Sequence, residues 1–121
     1  MFGQYFQEQE VIPKAKPGVY AVRLSSVREV VVKDYNVLRF EYVYNDGVKR
    51  TPNYIDVFDV VNPNDRDALK AFNYKMSKIR KCFNLSGSFN ELSYNEWVGH
   101  SGKIEILVDQ DGWRNVYPVV E

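Results

Sequence analysis

The stretch VLRFEYVYNDGVKRTPNYIDVF, Val37 to Phe58, decides how the chain folds. Its first eight residues alternate. Leu38, Phe40, Tyr42 and Tyr44 share one face; Val37, Arg39, Glu41 and Val43 share the other. A period of two sends successive side chains to opposite sides of a strand. The face of Leu38 and Phe40 is assigned to the core. Asp46-Gly47 then marks a hairpin, because glycine tolerates the positive φ of a tight turn. A third strand follows from about Tyr54 to Val61.

Upstream, residues 1 to 12 are polar with scattered aromatics and read as an arm. PKAKPG (Pro13 to Gly18) is a loop with two prolines and a glycine. VYAVRLSSVREVVV (Val19 to Val32) alternates at its start, with Tyr20, Val22 and Leu24 on one face, and should bend near Ser25-Ser26. KDYN (Lys33 to Asn36) reads as a polar turn.

Downstream, NPNDRDALKAFNYKMSKIRKCF is the one clear helix. Asn62 or Asn64 can cap it, Pro63 suits the first turn, and Asp65 and Asp67 favour the positive end of the dipole. Leu69, Phe72, Met76, Ile79 and Phe83 recur at spacings of three and four, which makes one apolar face. Lys70, Lys75, Lys78, Arg80 and Lys81 read as a solvated face. SYNEWVGHSG (Ser93 to Gly102) holds a helical turn and a glycine-flanked approach to KIEILV (Lys103 to Val108), a strand with Ile104, Ile106 and Val108 inward. DQDG (Asp109 to Gly112) is a turn. WRNVYPVV is the last strand, and Pro118, which has no N–H to donate, belongs at an edge or at the strand's end.

Three strands, a helix and two strands is the element order of the OB-fold. The expectation is therefore a mainly β chain: one domain, residues 1–121, forming a five-stranded OB-fold Greek-key barrel with one α-helix between strands 3 and 4. Residues 1–16 would be its N-terminal arm and loop.

The bulk numbers narrow the function. A chain of 121 residues that is 45% hydrophobic can bury one core. The single cysteine, Cys82, allows no intrachain disulfide, which fits a reducing compartment. Apolar runs such as Val30–Val32 are far short of the roughly 20 residues of a membrane helix. MFGQYFQEQE lacks the basic and apolar regions of a signal peptide. A cytoplasmic protein is expected. Net charge is zero, yet it is segregated. Pro13–Arg50 holds eight Lys/Arg against four Asp/Glu, Pro63–Phe83 six against two, and Asn84–Glu121 two against six. Local potential, not net charge, sets the field at a groove.

Catalytic and metal signatures are absent. His100 is the only histidine, flanked by glycine and serine in GHSG, and reads as a turn residue. Cys82 reads as a buried structural thiol. No CxxC or HExxH spacing suggests a metal, and no glycine-rich phosphate loop occurs. No enzyme activity, cofactor or metal is expected.

What remains is a set of cations and aromatics at the loops and outer strand faces: Lys33, Tyr35, Arg39, Tyr44, Lys49, Arg50, Tyr54, Trp113 and Arg114. Single-stranded nucleic acid needs such a set, with cations for phosphates and flat rings for bases. The OB-fold takes ligands on strands 2 and 3 and on the loops joining strands 1–2 and 4–5, where these residues fall.

PGVYAV, NVLRFEYVYNDG, YIDVFDVVNPND, KIRKCFNL and WVGHSGKIEILVDQDGWRNV together resemble phage-encoded single-stranded DNA-binding proteins, of the type in the early replication regions of lactococcal siphophages. The resemblance spans about Pro17 to Val120. It implies an OB-fold that coats single-stranded DNA in phage replication or recombination. It also implies a homo-oligomer (dimer first, tetramer as the alternative) and a phage or host recombinase or replication protein as partner. The chain ends at YPVVE, so the acidic C-terminal tail of the cellular counterparts is not expected. The alternative reading is a protein-interaction module, a phage structural or host-inhibiting protein on a small β-barrel.

Overall fold

A computed structural model describes residues 1–121. The elements are β1 (Gly18–Val32), β2 (Tyr35–Tyr44), β3 (Tyr54–Phe58), α1 (Arg66–Phe83), α2 (Glu91–Trp97), β4 (Ser101–Val108) and β5 (Arg114–Pro118). The five strands form one antiparallel sheet in the order β3-β2-β1-β4-β5. The sheet is open, since β3 and β5 each pair on one side only.

β1 holds the sheet together. It pairs with β2 from Val22↔Tyr44 to Val32↔Tyr35, and with β4 from Gly18↔Ile106 to Arg23↔Ser101. Its register against β2 slips between Leu24 and Ser26. One extra residue shifts the alternation by one, so the core face passes from Val22 and Leu24 to Val27. The bend expected at Ser25-Ser26 is this bulge.

The core face carries Leu38, Phe40, Tyr42 and Tyr44 of β2, Ile55 and Val57 of β3, and Ile104 and Ile106 of β4, all buried. The two helices cover it. α1 contributes Met76, Ile79 and Phe83, with Phe72 packed at the margin; α2 contributes Tyr94 and Trp97. Trp97 stacks on Phe40 at 6.2 Å between centroids, and its Nε1 donates to Ser86 O at 2.7 Å. The buried ring therefore leaves no unpaired N–H.

Several sequence expectations are corrected. The cap of α1 is Asp65, whose carboxylate accepts from Ala68 N at 3.1 Å; Asn62 instead turns the preceding loop by accepting from Asn64 N. Leu69 is 38% exposed, because the first turn of α1 stands clear of the sheet. A second helix, α2, replaces the expected single turn. Its Asn90 cap lies before the quoted segment, and its side chain accepts from Ser93 N at 2.9 Å. The β1–β2 turn is only Lys33-Asp34, both at positive φ (49° and 68°), so Tyr35 already belongs to β2. β3 stops at Phe58 rather than Val61. Val108 is partly exposed because β4 has no β1 partner beyond Ile106.

A strap spans the gap between the sheet edges. Lys14 bridges to Thr51, with Ala15 N donating to Thr51 O at 2.7 Å and Thr51 N to Pro13 O at 3.0 Å. Arg114 Nε on β5 donates to Ala15 O at 2.9 Å. Ala15 itself is buried.

α1 meets β4 at Gly102. A Cβ there would lie 2.8 Å from Cys82 O and 2.8 Å from Phe83 Cδ1. Only a residue without a side chain lets the helix approach so closely. Gly102→Ala should destabilise the fold by about 1–3 kcal/mol through overpacking. Urea unfolding checks this; a wild-type midpoint would show that α1 is not seated as described.

Candidate nucleic-acid interface

A groove of about 850 Å³ lies where β3 and β5 fail to meet. One wall is Thr51–Asp56, the other Gly112–Pro118, and α1 supplies Tyr74, Lys75 and Lys78. Four aromatics line it, Tyr54, Tyr74, Trp113 and Tyr117, and each is substantially exposed. Four cations line it too: Lys14, Lys75, Lys78 and Arg114.

Local structure explains how each is presented. Tyr54 alternates with the buried Ile55, so it faces outward from β3. The Asp109–Gly112 turn holds Trp113 out. Asp109 Oδ1 accepts from Asp111 N at 2.9 Å and Trp113 N at 3.0 Å, and Asp109 N donates to Trp113 O. That carboxylate is spent on its own turn, which accounts for Asp109 in DQDG without a cation. Tyr74 and Lys78, one helical turn apart, form a cation–π pair at 5.3 Å. Lys75 Nζ donates to Asp56 O at 2.7 Å, and desolvation against β3 lowers its pKa from the usual lysine value.

The groove has one carboxylate, Asp56. Arg39 Nε and Nη2 grip its two oxygens at 2.8 Å each. That bidentate pair raises the Arg39 pKa further above the arginine range. The same guanidinium lies 4.3 Å from the Tyr54 ring centroid. With Asp56 neutralised, the four groove cations are unopposed within the groove.

The nine residues picked from sequence divide into three groups. Tyr54, Trp113 and Arg114 line the groove, and Arg39 supports it from the outer face of β2. Lys33 and Tyr35 lie at the far end of the same face, where Tyr35 stacks on Phe58 at 5.9 Å. Tyr44, Lys49 and Arg50 surround the hairpin but do not line the groove. Tyr44 is only 4% exposed, and its hydroxyl donates to Pro52 O at 2.8 Å. As a stacking surface it is corrected to a core residue, because it lies on the same face as Phe40. Arg50 is bound to both Asp46 oxygens, at 3.1 and 2.7 Å, and covers the rings of Tyr20 and Tyr44. It seals the hairpin base, and its hydrogen bonds hold the Asp46 carboxyl below the usual range. Lys49 is exposed, 3.4 Å from Glu10.

Sequence reasoning missed Lys14, Tyr74, Lys75, Lys78 and Tyr117. Lys75 and Lys78 are read from sequence as part of a solvated helix face, and Tyr74, one turn from Lys78, carries no sequence reading. His100 Nδ1 lies 2.9 Å from Phe83 O, and Cys82 Sγ 3.2 Å from Lys103 O; both tie α1 to the β4 side. Burial pushes the Cys82 thiol up. No group of three or more His, Cys, Asp or Glu side chains is placed to hold a metal ion, and no helix is long and apolar enough to cross a membrane.

No protein-family model matches the chain, and no curated protein matches it significantly.

The two tryptophans should be separable by quenching. Trp113 is 72% exposed and Trp97 1%. Acrylamide should quench about half of the emission easily, and Trp113→Phe should leave only the protected component. Two equally protected tryptophans would place Trp113 in the core and remove it from the groove.

Proposed function

We propose that this protein binds single-stranded DNA with little sequence preference, as an OB-type barrel whose open seam is the binding groove. The strand order supports the barrel reading: a bent β1 shared by both halves, with β3 and β5 facing across a gap, corresponds to a partly open OB barrel. The observation that carries the function is the groove's lining, four exposed aromatics and four cations around one neutralised carboxylate. Rings stack bases at roughly 1–3 kcal/mol each whatever the base, and cations follow the phosphates. On this reading the protein has no catalytic role, and coating single strands in phage replication or recombination is the setting that its sequence resemblance implies.

A second reading has its own observation. The free edges of β3 and β5 offer main-chain groups for strand addition by another protein. A stoichiometric protein complex that survives nuclease would favour it.

Oligothymidine titration at increasing salt tests the first reading. Affinity should fall with salt at a slope of about −0.7 per phosphate contact. Lys75→Ala with Lys78→Ala should flatten that slope by about 1.4, two contacts at ~0.7 each. Trp113→Ala should cost about 1–3 kcal/mol of binding. A salt-independent response, or wild-type binding by all three substitutions, would reject the groove as a nucleic-acid site.

A further inference from the structure

The N-terminal arm and the groove are complementary. Between Met1 and Pro13 the chain carries Glu8 and Glu10 and no Lys, Arg or His, a side-chain charge of −2. The groove lining carries four cations, Lys14, Lys75, Lys78 and Arg114, and its one carboxylate, Asp56, is already paired with Arg39. Phe2, Tyr5 and Phe6 stand fully or largely exposed on the arm, and nothing on their own body covers them. Exposed apolar rings of this kind gain free energy when covered. The one side-chain link from the arm to the body is Glu10 to Lys49 at 3.4 Å, on the β2–β3 loop and not in the groove. Aromatic rings followed by two carboxylates present flat faces and negative charge, as a short single strand does.

We propose that residues 2–10 of one copy occupy the groove between β3 and β5 of a second copy. The free protein then self-associates through its arms, and single-stranded nucleic acid competes with the arm for the same rings and cations. The competition, though not the arm contact, rests on the proposed nucleic-acid reading. Residues 2–10 span up to about 30 Å when extended, enough to cross to a neighbour. The carboxylates would meet Lys75 and Lys78, and the rings would lie against Tyr54 and Trp113. Such contacts weaken as salt screens them.

Sedimentation velocity at low salt tests this with a charge swap. The full chain should sediment as a dimer that dissociates as salt rises. Glu8→Lys with Glu10→Lys should be monomeric, as should Lys75→Glu with Lys78→Glu. The four substitutions together should restore the dimer. Excess oligothymidine should dissociate the wild-type dimer. A Phe2→Ser, Tyr5→Ser, Phe6→Ser variant should be monomeric and bind oligothymidine with about three to ten times the affinity, because its groove is no longer occupied. A monomeric full chain, including one whose arm docks in its own groove, would overturn the proposal. So would a dimer that survives both charge reversals. Should no form bind oligothymidine, the nucleic-acid reading falls while the swap still decides the arm contact.

Discussion

The structure depends on β1 and the slip in its register at Ser25. A straight strand of fifteen residues would keep one set of side chains on one face throughout. The extra residue changes the face and bends the strand, so its first part can serve β4 while its whole length from Val22 serves β2. The sheet therefore curls around the side chains of Val22, Leu24, Phe40 and Ile104, and the helices close the open side over Trp97 and Phe83. Curling brings β3 and β5 towards each other, but neither pairs with the other. The groove follows from a sheet whose two edge strands approach without pairing.

Three features keep the seam open and usable. The strap at Lys14 and Ala15 is tied to Thr51 by main-chain hydrogen bonds and to β5 by the Arg114 guanidinium, which donates to Ala15 O, holding the two edges in relation without filling the space between them. Lys75 reaches from α1 to the Asp56 carbonyl, so a β3 edge group that would otherwise invite another strand is partly engaged. The Arg39–Asp56 pair removes the one negative charge from the lining. The pair is part-buried, so its value lies less in stability than in the field it leaves behind. Tyr54, stacked under Arg39, is held as a preorganised flat face.

Much of the fold was legible because it rests on local periodicity. The alternation of Leu38 to Tyr44, the spacing of Met76, Ile79 and Phe83, and the doubled serine at the bend each state their role within a few residues. α2 was legible only as a turn: seven residues of mixed polarity show too little period, and the burial of Tyr94 and Trp97 depends on packing against the sheet, where Trp97 meets Phe40. The candidate site was half legible. Trp113 and Arg114 sit next to a turn that the sequence marks plainly. Tyr44 and Arg50 were misplaced because an aromatic beside a cation looks the same whether the pair binds a ligand or packs a hairpin, and only the Asp46 and Pro52 contacts separate the two. Tyr74, Lys75 and Lys78 belong to the groove through the docking of α1 beside β3, a long-range fact that no local pattern carries.

The central claim is that single strands lie in the seam between β3 and β5. Photocrosslinking of the protein to oligothymidine, followed by identification of the linked residues by mass spectrometry, tests it most directly. The account expects crosslinks at Tyr54, Trp113 and Tyr117, and fewer when Lys75 and Lys78 are changed to alanine. Crosslinks confined to the hairpin around Lys49, or to the surface of α2, would contradict it.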